Sequence, residues 1–176
     1  MIDLYKYTDK EMKELIDSMV ILVDTREKAN DHILNYLDRK NIAWKKKALS
    51  YGDYSFMIPS NEKLGILRDI YFDKKVVAER KGSIEEISGN LTNGRDKFEK
   101  ELSLAPKTKV LMIENCSYSD IATGNYKTKY DRKSFAGSLH SFWFKYDCPV
   151  FFMPDNNFSG LFLRMYFEYY LKNYMK

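Results

Sequence analysis

Short apolar runs that stop abruptly at charged residues set the pattern of this chain. Val20 to Asp24, Asp53 to Ile58, Val76 to Lys81, Lys109 to Ile113 and Val150 to Met153 are rich in β-branched and aromatic residues, which predicts strands. Between them, apolar residues recur at helical spacing. Thr8 can cap a helix to about Asp17, with Met12, Leu15 and Ile16 on one face. Asn30 or Asp31 begins a second, to about Lys40, carrying Ile33, Leu34 and Leu37. Ser83 can cap a third, with Ile84, Ile87 and Leu91 inward, and Arg95 to Ala105 follows with Phe98 and Leu102. A short helix is predicted at Ser117 to Thr123 and a longer one at Ser134 to Tyr146, with Phe135, Leu139, Phe142 and Trp143 inward.

Three segments read less simply. Ala43 to Leu49 predicts a strand with Lys45, Lys46 and Lys47 in a row, which cannot all face one side. Such runs form solvated edges that deter pairing between molecules, and one or two of these lysines could touch phosphate. Leu64 to Phe72 fills the interval between Asp53 and Glu79 as a long hairpin or small insertion. The last helix, about Asn157 to Tyr174, carries Leu161, Phe162, Met165, Tyr166, Tyr169 and Tyr170 over more than one stripe. It reads either as one well-buried helix or as a helix that also meets a second subunit. The alternation of strands and helices argues for an α/β fold.

Composition narrows the class. The 176 residues suffice for one compact domain with a substantial core, and 44% apolar residues with 14 Tyr and 11 Phe argue against disorder. A net charge of +4 permits binding to a polyanion without demanding it. Cys116 and Cys148 lack metal-type spacing and read as reduced, buried thiols. His32 and His140 lie far apart, which argues against a zinc site. Neither a secretory signal nor a spanning apolar segment is evident, so a soluble, cytoplasmic protein with no membrane partner is expected.

The candidate chemistry lies at the strand ends. In Lys75 to Glu86, KVVAERKGSIEE, side-chain alternation sends Glu79 and Lys81 to one face of the strand and Arg80 to the other. A carboxylate beside an ammonium suits a magnesium-dependent hydrolytic site, although a lone Glu-x-Lys is far more often an ordinary solvated pair. Two upstream segments add weight: VILVDTRE brings Asp24, Arg26 and Glu27 to a strand end, and SYGDY puts Asp53 at a strand start.

Read in order, VDTRE, GDY and ERK resemble the XPF-type structure-specific DNA endonuclease family, within the restriction-endonuclease-like superfamily. The similarity continues through SIEEISGNLTNGR, Ser83 to Arg95, and reaches from about Met19 to the last strand and helix. The resemblance implies a central mixed β-sheet flanked by helices and a metal-dependent endonuclease acting on branched, flap or junction DNA. It implies that Asp53 and Glu79 hold Mg2+ or Mn2+, with Asp24 and Glu27 completing the acidic pocket directly or through water. Lys81 would orient water and stabilise charge, and Arg26 and Arg80 would brace carboxylates or contact phosphate. An acid shortly after ERK is also implied. Glu85 is preferred, with Glu86 in its place if the helix begins one residue later. The interval between Asp53 and Glu79 is longer than is common in the family.

Other positions are candidates for contact with DNA. Arg95 opens a helix, where a cation opposes the helix dipole, so a site carboxylate or a phosphate could hold it. In GNYKTKYDRK, Gly124 to Lys133, the bases Lys127, Lys129, Arg132 and Lys133 alternate with Tyr126 and Tyr130, which suits phosphate contact and base stacking but also an ordinary polar loop. A single nuclease domain over 1–176 is expected, with no counterpart of the family's helix-hairpin-helix units, and a homodimer through the C-terminal helix is implied. Two other functions fit the same residues: a catalytically silent DNA-binding scaffold subunit, and a sequence-specific restriction-like nuclease.

Overall fold

The computed structural model describes residues 7–175. Its strands are β1 (Val20–Val23), β2 (Trp44–Lys46), β3 (Tyr54–Ile58), β4 (Ile70–Tyr71), β5 (Val76–Lys81), β6 (Thr108–Glu114) and β7 (Val150–Met153). Its helices are α1 (Asp9–Ser18), α2 (Asp31–Arg39), α3 (Ile84–Leu91), α4 (Arg95–Leu104), α5 (Tyr118–Thr123), α6 (Arg132–Tyr146) and α7 (Ser159–Tyr174). Local signals explain several of these bounds. Thr8 and Glu11 form a reciprocal capping box at the start of α1, and the Ser83 hydroxyl accepts from the Glu86 N–H at the start of α3. Gly124 ends α5 in the left-handed conformation that glycine adopts freely.

The sheet runs β2-β1-β3-β5-β6-β7, with β4 paired to β3. β1 and β2 are parallel, as are β5, β6 and β7, while β3 runs antiparallel to β1, β4 and β5. A mixed central sheet flanked by helices is therefore observed. One face packs Ile21, Val23, Phe56, Ile58, Val76 and Met112 against α1, α2 and α7. The other packs Leu111 and Ile113 against α3, α4 and α6. Phe56 and Phe72 stack at 4.4 Å between ring centroids, and Phe167 and Tyr170 of α7 close on the pair. Each such aromatic adds area burial and a preferred geometry to the core.

Details depart from the pattern reading. β2 is only three residues long, because β1 has few residues to pair with it. The buried stripe of α7 is Leu163, Phe167 and Leu171, whereas Leu161, Met165 and Tyr169 lie on its outer side, each at least 41% exposed. Trp143 is 37% exposed and stacks on Phe144 outside the core, since Phe142 already fills the inward position. Leu64 to Phe72 forms a 3-10 turn at Glu62–Leu64 followed by β4, so the insertion extends the sheet rather than leaving it. Among the described residues no helix is long and apolar enough to cross a membrane.

Candidate active site

Backbone register creates the site. Val23 lies opposite Tyr54, and Tyr54 opposite Ala78. One residue further along each pairing, Asp24 stands beside Asp53 and Asp53 beside Glu79, a row across β1, β3 and β5 on one face of the sheet. Hydrogen bonds fix that row. The Asp24 N–H donates to the Asp53 carbonyl at 2.8 Å, and the Asp53 N–H to the Ala78 carbonyl at 2.9 Å. Gly52 makes the approach possible, with φ +70 and with a hypothetical Cβ only 2.7 Å from Val77 Cβ.

The acids in the row are not alike. Asp24 is 1% exposed and spends both oxygens: Oδ1 accepts from the Arg26 N–H and Nε, and Oδ2 from Arg26 Nη2 and the Leu49 N–H at 2.7 Å. Burial would raise its pKa, but those donors outweigh it and the net shift is downward. Asp24 is thus an ionised clamp on Arg26, already saturated. Asp53 accepts one bond on Oδ2, from the Arg80 N–H at 2.7 Å. Burial, and then the charges of Glu79 and Glu27, push its carboxyl up to about 8. Lys81 Nζ sits 2.8 Å from Glu79 Oε1 and 3.8 Å from Glu86 Oε1, and 5.2 Å from the centre of the Phe98 ring. Burial alone would lower the Lys81 pKa; Glu79, Asp53 and Glu86 reverse it to a net rise, so the ammonium stays charged.

Arg80 and Glu27 lie elsewhere than in this row. Alternation turns Arg80 through the sheet, where its guanidinium meets Glu27 at 2.6 Å and Glu114 at 2.7 Å and donates to the carbonyl of Ala29. Glu27 also accepts from the Tyr54 hydroxyl, and His32 Nε2 lies 2.8 Å from Glu114 Oε1. Ala29 has φ 51, a conformation that costs a non-glycine residue energy and is held here by the network. From the sequence Glu114 is a strand-end acid like the site carboxylates but with no role assigned, and nothing linked His32 to it; the sheet register, which sets Met112 opposite Arg80 and so Glu114 two residues further along, supplies the connection.

The remaining candidates separate. Glu86, not Glu85, stands beside Lys81, because the Gly82 N–H draws its carboxylate back at 2.8 Å while Glu85 turns outward toward the Lys127 N–H. Arg95 donates to Glu99 and Ser138 and lies 5.0 Å from the Phe142 ring, so it joins α4 to α6 and reaches no site carboxylate. Tyr126 and Tyr130, both half-buried, pack on Phe135 and donate to the carbonyls of Tyr130 and Ser134, which ties their rings to the start of α6. Lys127, Lys129, Arg132 and Lys133 remain exposed around them. Arg26 stays near the row. It borders a cavity of about 160 Å³ together with Asp53, Glu79, Phe98, Glu101 and Lys109.

A divalent cation fits this donor set. Asp53 and Glu79 offer hard oxygens, and the upward shift at Asp53, caused first by burial and then by the charges of Glu79 and Glu27, is one that a bound cation would oppose. Among the described residues no three His, Cys, Asp or Glu side chains are grouped to enclose an ion unaided. Two carboxylates with water and substrate completing the shell is the arrangement Mg2+ commonly uses.

The fold and the row of acids define a restriction-endonuclease-like α/β domain. The ERCC4 domain matches residues 23–166, and the chain belongs to that family. Two solved structures of XPF from Aeropyrum pernix have the same fold. One superposes with a TM-score of 0.63 at 14% identity, covering 86% of this chain and 61% of its own. The other, a complex with DNA, gives 0.63 at 17% identity, covering 88% and 66%. The chain thus spans less than two thirds of the length of either. No curated protein sequence matches it.

Proposed function

We propose that this domain is a metal-dependent endodeoxyribonuclease that hydrolyses phosphodiester bonds at branched, flap or junction DNA. The observation that carries the reading is the Asp53–Glu79 pair with Lys81 at its side, facing the cavity that Arg26 borders. ERCC4 membership and the DNA complex of the similarly folded A. pernix XPF support DNA as the substrate.

Asp53 and Glu79 would hold Mg2+ or Mn2+, which when bound supplies a Lewis acid for the phosphate oxygens and eases ionisation of the attacking water. Lys81 is charged at rest, so it neutralises growing negative charge instead of acting as a base. Glu79 and Glu86 hold its ammonium in place. Arg26, fixed by Asp24 yet 73% exposed along its side chain, is placed to grip a phosphate beside the scissile one. Arg80, Glu27 and Glu114 act as positioning residues that brace β5 and the loop after β1. Lys127, Lys129, Arg132 and Lys133 contribute sequence-independent attraction to the backbone. A homodimer through the outer side of α7, at Leu161, Met165 and Tyr169, belongs to the same reading.

The test is cleavage of flap, fork, nicked and plain duplex DNA with and without Mg2+. Incision of the branched forms only, with Mg2+ only, and its loss in Asp53→Asn and Glu79→Gln, is the expected result. Cutting that survives both substitutions sinks the assignment. Binding without incision favours the silent scaffold, and cutting that follows base sequence favours a restriction-like enzyme.

A further inference from the structure

The face of the sheet that carries Asp53 and Glu79 is roofed by helices over only half its width. Beneath α3, α4 and α6 it is covered, but the cluster of Leu22, Leu49 and Met57 on the β1–β3 half includes no helix residue. Register shows what stands there instead. Lys45 lies opposite Leu22 and Tyr71 opposite Met57, so both project from this same face, and Lys47 projects with Lys45 by alternation. Tyr71 is 40% exposed. The Lys45 ammonium lies 5.0 Å from the centre of its ring and donates to its hydroxyl at 3.0 Å; the Lys47 ammonium lies 5.5 Å from the ring and pairs with Asp73.

These groups lead into the site. The Lys47 N–H donates to the Val23 carbonyl and the Leu49 N–H to Asp24, which clamps Arg26 at the mouth of the cavity. Lys45, Lys47 and Arg26 therefore form a line of cations along one sheet surface, ending at the carboxylate row. Met57, the partner of Tyr71, lies four residues from Asp53, about 13 Å along β3. Tyr71 comes from the insertion between β3 and β5, a segment that could cover the site or meet substrate but in which the sequence singled out no residue.

We infer that this helix-free half-face binds a stretch of single-stranded DNA over its cover of side chains, with Tyr71 stacking on a base and Lys45 and Lys47 taking the flanking phosphates. The chemistry favours a single strand over a duplex, because an exposed aromatic face such as that of Tyr71 can be used only by an unpaired base. A base settling on Tyr71 takes the position an ammonium now holds and frees that ammonium for phosphate. The inference extends the nuclease reading by giving the unpaired arm of a branched substrate its own seat.

Fluorescence anisotropy with a labelled 15-nucleotide oligothymidylate in EDTA tests binding apart from cleavage. Tyr71→Leu keeps the apolar cover and removes the π-face, and is expected to weaken binding about tenfold. Lys45→Gln with Lys47→Gln is expected to make the slope of log affinity against log salt shallower by about 1.4. Unchanged affinity and slope in variants with the wild-type melting temperature overturn the inference, as does a wild-type protein that does not bind the oligonucleotide. Photocrosslinking of iododeoxyuridine oligonucleotides to the wild-type chain needs no variant: adducts at Tyr71 support the seat, and adducts confined to 124–133 overturn it. If the wild type cuts DNA while these variants bind normally, only this inference falls. If they lose binding while the wild type cuts nothing, only the nuclease reading falls.

Discussion

Arg80 donates to Glu114 at 2.7 Å on the side of the sheet opposite to that where its neighbours Glu79 and Lys81 meet at 2.8 Å. One strand thus serves the face proposed for catalysis and a bracing face at consecutive residues. Removing one partner of such a buried pair leaves an uncompensated charge, which typically costs about 3–5 kcal/mol. Glu114→Ala is expected to destabilise the domain by that order in urea unfolding, with cleavage per folded molecule reduced by displacement of β5. Arg80→Lys should also be damaging, because one ammonium cannot satisfy Glu27, Glu114 and the Ala29 carbonyl together.

Asp53 makes metal-free stability depend on pH. Between its ordinary value of 3.8 and about 8 the folded chain holds a proton that the unfolded chain has released, so stability falls as pH rises through that window. One proton's difference sets a slope of about 1.4 kcal/mol per pH unit at most. Thermal melts in EDTA from pH 5 to 8 should show a decline that Asp53→Asn removes. Mg2+ should raise the melting temperature of the wild type near pH 8 and leave that of Asp53→Asn unmoved.

Gly52→Ala tests whether the tight approach of β3 to β5 is needed. The new methyl group would sit 2.7 Å from Val77 Cβ on a backbone of φ +70. Strain and clash together should cost at least about 1 kcal/mol and displace Asp53, with a cleavage loss larger than the stability change explains. The comparison is kcat beside a denaturation midpoint.

Burial pushes both thiols, Cys116 and Cys148, up to about 12. A thiol-specific chromogenic reagent should leave both untouched in the folded protein at pH 8 and titrate both after denaturation. Rapid labelling of either in the native state would show that α6 and its neighbours open readily.

Much of this organisation could be read from local pattern. The apolar runs found the strands, and alternation within Val76 to Lys81 separated Glu79 and Lys81 from Arg80, because period-two geometry is a property of the strand alone. Strand order and the reversed direction of β3 left no local mark, so the row Asp24–Asp53–Glu79 emerged only with the sheet. Arg95 and the pair Tyr126 and Tyr130 read as binding groups because a sequence shows polarity but not the nearby Glu99, Ser138 and Phe135 that engage them. The choice between Glu85 and Glu86 did not turn on the helix start, which stands after Ser83 as read; the Gly82 N–H decides it by drawing the Glu86 carboxylate back beside Lys81. The innermost stripe of α7, Leu163, Phe167 and Leu171, was not singled out because aromatic residues surround that helix and blur its periodicity, although the spread of apolar residues over more than one stripe was legible.

The two-sided use of β5 also determines which errors the gene can tolerate there. A one-residue deletion between Val76 and Ala78 would carry Glu79 into the aromatic interior and swing Arg80 toward the cavity, inverting every later side chain of the strand at once. Point substitutions in this stretch remove one group each; a lost codon would turn the strand inside out.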